Sequence, residues 1–370
     1  MRAAAAWSVI LMVVGLVVGQ ALDVVPTTVA PVFLVLTTFA LAVEPYANTF
    51  GLDVRELARN KKTILQSISI GVLLKIAIIG GAMSLIFRDP IWFLIALGVS
   101  QIDPMSVGEF MEGSEASPQS KALMRAWAAF DDTTVVVMLL GLIAILRPSG
   151  LTKALSGHVG LVEIARTVSI ALSFAAAVWL IYRIALTYSV MRLRRDPGRS
   201  RRRPRVANGF GTRISNLGIW VVAFAVLGSI FIGSTALALV GLFARPAGLN
   251  PRWLSWLTRS GSALACLGLG FLLDLRSGVF HGVLLGLLAF TAHALASQLV
   301  IRRLPRTDRL AVVFAQQNGT AAVAVALLLH NDFPTSISVL SWAVVTVNVA
   351  SLISNHAAIR LNWSRRIPLS

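Results

Sequence analysis

Apolar runs of roughly 17 to 25 residues recur along nearly the whole chain, and they leave few architectures open. A segment of that length in lipid has no water for its backbone N–H and C=O groups, so it pairs them internally as a helix. The rest of the composition agrees. The 370 residues are 56% hydrophobic and 13% charged, with a mean hydropathy of +0.78, whereas soluble domains carry about a quarter charged residues. The expected fold is an all-α polytopic membrane protein embedded in the lipid bilayer.

The net charge of +17 would suggest nucleic acid in a soluble protein. Here the basic residues lie between hydrophobic runs, which is the pattern of cytoplasmic loops, and no nucleic-acid partner is expected. A single cysteine, Cys266, leaves no intrachain disulfide. The stretch from Trp7 to Gly19 resembles a signal peptide in its polarity, but no small-residue cleavage site follows it, and it is read as the first span.

The runs predict about twelve helices. The first half, 1–190, holds spans at 5–19, 28–47, 63–87, 92–110, 122–146 and 162–187. A linker, 191–213, carries nine arginines against the single acid Asp196 and is assigned to the cytoplasm. The second half, 214–370, holds 214–232, 234–244, 254–273, 279–300, 310–329 and 336–359. Splitting 214–244 into two helices near Gly233-Ser234 puts Arg302, Arg303, Arg306, Arg309 and the C-terminal arginines on the same side as the linker. Both termini are then cytoplasmic, in a cell inner or plasma membrane.

Two of these spans are interrupted by polar, helix-breaking residues. The fourth contains Ser100-Gln101-Ile102-Asp103-Pro104, and the eleventh contains Gln316-Gln317-Asn318-Gly319-Thr320. The odd offset between them makes the two helices antiparallel. That is the arrangement of two inverted-topology repeats whose broken helices cross at the membrane midplane. At each break, orphaned backbone groups and inward-pointing half-helix dipoles need polar partners. Asp103 offsets the positive ends, and Gln316, Gln317 and Asn318 can donate or accept.

Asp131 and Asp132 sit in an apolar helix, pointing about 100° apart. Two neighbouring carboxylates in low dielectric raise each other's proton affinity, and their oxygens also suit a hard cation. Competition for one carboxylate suffices for ion–proton exchange, with Thr133 as a further oxygen donor. The plainer alternative makes the pair the interfacial end of its helix, beside Arg125 and Trp127. Lys75 lies about 13 residues into its span, roughly 20 Å from water at about 1.5 Å per residue. Its expected partner is Asp103, Asp131 or the negative end of a broken helix. Glu109, Glu112 and Glu115 read as a solvated loop, and His281 and His293 lie in the tenth span. No phosphate loop, zinc-spaced cluster or Ser/His/Asp arrangement is present in the sequence, so neither an enzyme nor a cofactor is expected.

These residues resemble the cation–proton antiporter superfamily, the sodium/proton exchangers. Asp103-Pro104 and Ala129-Phe130-Asp131-Asp132 look like its Asp-Pro and Asp-Asp signatures. GLDVRELARNKK from Gly51, LGLGFLLDLRSG from Leu267 and QQNGTAAVA from Gln316 resemble its recurrent segments. The resemblance implies a core domain of crossed broken helices that moves against a dimerisation domain, and a homodimer. It implies sodium or lithium and protons as transported partners, with Asp132 as the principal carboxylate, Asp131 beside it, and electrogenic exchange. Two positions depart from the family pattern. Ile102 stands where a threonine is common, and the tenth helix lacks a lysine, for which Lys75 or His293 is the substitute. A sodium-coupled organic-anion symporter of similar fold is the alternative, and the adjacent carboxylates speak against it.

Overall fold

The computed structural model describes residues 3–22, 43–50, 52, 58, 61–102, 116–146, 161–195, 219–223, 225, 235–246, 249–302, 304–314, 320–330 and 332–366. Among these residues all regular structure is helical. The order is α1 (Ala3–Ala21), α2 (Lys61–Phe87), α3 (Trp92–Ser100), α4 (Pro118–Leu146), α5 (Leu161–Arg195), α6 (Thr235–Phe243), α7 (Pro251–Phe271), α8 (Val279–Val300), α9 (Arg306–Val313), α10 (Thr320–Leu329) and α11 (Ser336–Arg366). Residues 43–50 are also helical. The expected second span lies mostly outside the described residues, as do the linker beyond Arg195 and the Gly233-Ser234 junction.

Local chemistry sets most of the helix ends. Asn250 caps α7 by accepting from the Arg252 amide at 2.9 Å, with Pro251 in the first turn, where its missing N–H costs nothing. Arg88 closes α2 in the left-handed region at φ 56°. Asp89 then accepts from the Ile91 amide at 2.9 Å and turns the chain into α3. Gly278, at φ 71°, turns the chain into α8, and a Cβ there would stand 2.9 Å from Val339 Cγ2.

Lys61–Phe87, Val279–Val300 and Ser336–Ser354 are each long and apolar enough to cross a membrane on their own. They belong to one bundle. Helix α8 packs along α11 and α2, α3 lies against α2 and α10, and α4 joins α3 to α5 and α6. Buried Ile79, Met83, Leu97, Val325, Leu329 and Leu340 fill the space between them. Trp7, Val17, Leu180 and Ile184 face outward, the reverse of a water-soluble surface. Helix α1 rests on α7 almost backbone to backbone, because Gly15 and Gly270 leave no room there for a side chain.

Both expected interruptions appear as helix ends. Helix α3 stops at Ser100, and Gln101 is extended (φ −74°, ψ 159°). Helix α9 stops at Val313, and α10 begins at Thr320. The two broken spans touch, since α3 packs on α10.

Candidate functional site

Lys75, Ser100 and Asp131 meet between α2, α3 and α4. Lys75 Nζ lies 2.9 Å from Asp131 Oδ2, and neither side chain reaches the surface. The same ammonium donates to the Ser100 carbonyl. Ser100 is the last residue of α3, so this is the negative, unpaired end of a broken helix. One lysine therefore balances a carboxylate and a helix dipole together.

Helix lengths place this cluster deep in the bundle. Asp131 lies 13 residues from the first residue of α4 and Lys75 lies 14 from the first of α2, about 20 Å in each case. Ser100 closes a nine-residue helix that comes from the other side, about 13 Å. The two depths together span a bilayer core of about 30 Å.

The backbone of α2 is shaped for this contact. A π-helical turn, Ser67–Gly71, interrupts it just before Lys75, and such bulges re-aim the following side chains. A Cβ on Gly71 would stand 3.0 Å from Cζ2 of Trp127, so the glycine admits the indole. Trp127 is fully buried, with the Lys75 ammonium 5.6 Å from its ring centroid. Its indole packs inside the bundle and not on the outer surface of α4.

His293 also packs on Trp127, ring centroids 5.6 Å apart. Its Nε2 lies 3.1 Å from the Val312 carbonyl and 3.2 Å from Ser297 Oγ. A carbonyl only accepts, so Nε2 carries the proton. The histidine's hydrogen bonds thus go to α9 and to its own helix, whereas the direct partner of Asp131 is Lys75.

Several buried polar atoms here have no protein hydrogen-bond partner: Asp131 Oδ1, Gln101 Oε1, Trp127 Nε1 and His293 Nδ1. Buried polar atoms are rarely left unpaired. All four can bond to water, and the acceptor oxygens of Asp131 and Gln101 also suit a cation. The Thr134 hydroxyl donates to the Phe130 carbonyl one turn back, at 3.0 Å, which leaves its oxygen lone pairs as acceptors.

Asp132 and Thr133 lie on α4 beside Asp131, but their side chains lie outside the described residues. So do Asp103, Pro104 and the Gln316, Gln317, Asn318 and Gly319 stretch. Thr320 is the first residue of α10, and its side chain is likewise outside them. Among the described residues no group of three His, Cys, Asp or Glu forms a metal-binding cluster.

Two supports of the site are not apparent in the sequence. Ser351 Oγ on α11 donates to the Phe314 carbonyl at 3.2 Å, which satisfies an orphan acceptor at the second break. Asp308, in the first turn of α9, accepts from the Ser117 hydroxyl at 2.6 Å and from its amide at 3.0 Å, immediately before α4. Burial pulls the Asp308 carboxyl upward, but the hydrogen bonds from Ser117 and Ser120 outweigh it and hold the group below the usual aspartate value. A signal existed for each, a serine or aspartate near a helix end. The partners, 37 and 191 residues away, carry no sequence mark.

The protein-family model described as sodium/hydrogen exchanger, transmembrane, matches residues 4–201, more than half of the chain. Among solved structures, the chain is similar to the sodium proton antiporter MjNhaP1 from Methanocaldococcus jannaschii at pH 8. The match has a TM-score of 0.67 and 16% identity, and covers 96% of this chain and 90% of that one. An electron-microscopy map of the same antiporter gives a TM-score of 0.55, also at 16% identity, over 96% and 88% of the two chains. At that identity the likeness carries the fold. No curated protein matches the sequence at a significant level. The all-helical fold and the broken spans agree with the family match over the N-terminal half: this chain belongs to the sodium/hydrogen exchanger family.

Proposed function

We propose that the chain is a secondary transporter that exchanges a monovalent cation, sodium or lithium, for protons by alternating access. The cation and protons compete for the Asp131 and Asp132 carboxylates. The observation that carries this reading is the buried Lys75–Asp131 pair at the open end of α3. It is a charge-balanced, solvent-excluded cluster at mid-depth, with Asp132 as its chain neighbour. An intramembrane ionisable group is costly, and proton relays and ion paths are its usual setting.

The charge balance gives the proposed cycle its electrical character. With a cation bound, the two carboxylates, Lys75 and the cation sum to neutral. With both carboxylates protonated, the same group carries one positive charge. A cycle between these two states moves net charge, and the exchange is electrogenic. In the broken-helix region Asp103, Pro104, Gln316, Gln317, Asn318, Gly319 and Thr320 complete the path, with Thr133 as an oxygen donor. The reading includes a multi-pass cell-membrane protein with two halves, 1–190 and 214–370, joined by a cytoplasmic linker, acting as a homodimer.

The test is sodium- or lithium-dependent proton flux in proteoliposomes containing the full chain. Asp132→Asn is expected to abolish that flux, and full activity in the variant would sink the mechanism. An imposed membrane potential is expected to change the wild-type rate. A rate indifferent to the potential would show that Lys75 holds Asp131 throughout an electroneutral cycle.

A further inference from the structure

Among the described residues, basic side chains collect near one end of α4, α8 and α9. Asp308 binds Ser117, which brings the start of α9 to the start of α4. Arg302, Arg309, Lys121 and Arg125 therefore gather near that end. Between the last turns of α8 and the start of α9 lies an open cavity of about 690 Å³. Its polar lining is Arg302, Arg309 and Gln298, and the remainder is Leu295, Leu299, Leu310 and Val313.

Two features of this cavity call for an occupant. Neither Arg302 nor Arg309 meets a carboxylate among the described residues. Asp308, next to Arg309 in sequence, is committed to Ser117 and Ser120. Below the arginines, Leu295, Leu299 and Leu310 are about half exposed, at 52%, 48% and 46%. Two guanidinium groups beside an exposed apolar wall form an amphipathic slot. A soluble anion would use only the arginines, and a neutral lipid only the leucines.

We propose that this slot between α8 and α9 binds one anionic phospholipid. Its phosphate bridges Arg302 and Arg309, and its acyl chains run down Leu295, Leu299 and Leu310. Guanidinium groups bind phosphate through paired, charge-assisted hydrogen bonds. Basic pockets between membrane helices at the cytoplasmic face are suited to anionic headgroups. Gln298 supplies a neutral donor for headgroup or ester oxygens. The lipid would clamp the end of α8 to α9, the half-helix that leads into the second break.

The experiment is native mass spectrometry of the full chain in detergent, titrated with phosphatidylglycerol or phosphatidylcholine. One phosphatidylglycerol per protomer is expected to bind at least tenfold more tightly than phosphatidylcholine. That bound lipid is expected to disappear in Arg302→Ala/Arg309→Ala and to persist in Arg194→Ala/Arg195→Ala, which alters the basic linker region. Leu299→Trp fills the apolar wall without removing charge. It is expected to expel the lipid as well, and it serves as the second reading if the arginine variant does not fold. Equal retention of the two lipids, or a phosphatidylglycerol count unchanged by both slot variants, would overturn the proposal. So would glycerol 3-phosphate binding as tightly as the lipid, because the acyl chains would then contribute nothing.

Discussion

Lys75 Nζ and Asp131 Oδ2 stand 2.9 Å apart with no solvent exposure on either side chain, joining α2 to α4 where α3 breaks off. A buried ion pair of this kind adds little net stability over an apolar pair of equal volume, but breaking it by removing one partner is expensive. Lys75→Met alone should therefore destabilise the fold by about 3–5 kcal/mol, through an unmatched Asp131. The double variant Lys75→Met/Asp131→Leu should recover most of that loss. Thermal unfolding in detergent reads both. A double variant as unstable as the single one would mean that the pair is needed for folding itself.

Gly270 faces the Met12 carbonyl across the α1–α7 contact, and a Cβ there would lie 1.9 Å from that oxygen. Backbone cannot yield as a flexible side-chain tip can. Gly270→Ala should cost about 1–3 kcal/mol by forcing the helices apart. Gly81→Ala is the control, since nothing lies within 4 Å of its added Cβ. Comparing the melting temperatures of the two variants checks the prediction, and equal values would contradict it.

Asp308 ties the start of α9 to Ser117, and its carboxyl is held below the ordinary 3.8. A lowered acid stabilises the fold when ionised. Its contribution is therefore complete above about pH 4 and fades only as pH falls through the lower folded-state value. Asp308→Asn should reduce the melting temperature by a constant amount between pH 5 and pH 8. That gap should narrow below pH 4. A gap that instead grows as the medium is acidified would refute the assignment.

Ser351→Ala removes the donor that satisfies the Phe314 carbonyl at the second break. The direct cost is about 1 kcal/mol, that of one unmade hydrogen bond. Its greater effect should fall on transport, because the end of α9 loses its anchor to α11. Cation-dependent proton flux in proteoliposomes is expected to drop several-fold while the protein remains folded. Unchanged flux would reduce Ser351 to a packing residue.

Much of this protein was legible from its residues alone. Runs of apolar residues without water to serve their backbones have one solution, and the helices appear at nearly the expected places. The tenth expected span, 279–300, coincides with α8. The two helix ends were also readable, because polar residues with a proline or a glycine interrupt the apolar runs just after Ser100 and Val313. Covalent order and hydrophobic patterning act over a few turns, and a reader of the sequence sees that range.

The partners were decided elsewhere. Lys75 could face Asp103, Asp131 or a helix end, and its 25- and 56-residue separations from Ser100 and Asp131 are bridged only when α2, α3 and α4 pack together. The π turn before Lys75, and the contact between Gly71 and the Trp127 indole, carry no mark in the sequence either. Asp308 and Ser117 also meet only through packing, across 191 residues. The sequence determined that charges would be buried in a helical membrane protein and where its helices would break. Which charge balances which was settled by tertiary structure, because burial makes an unmatched charge too costly and only packing brings distant residues within reach of one another.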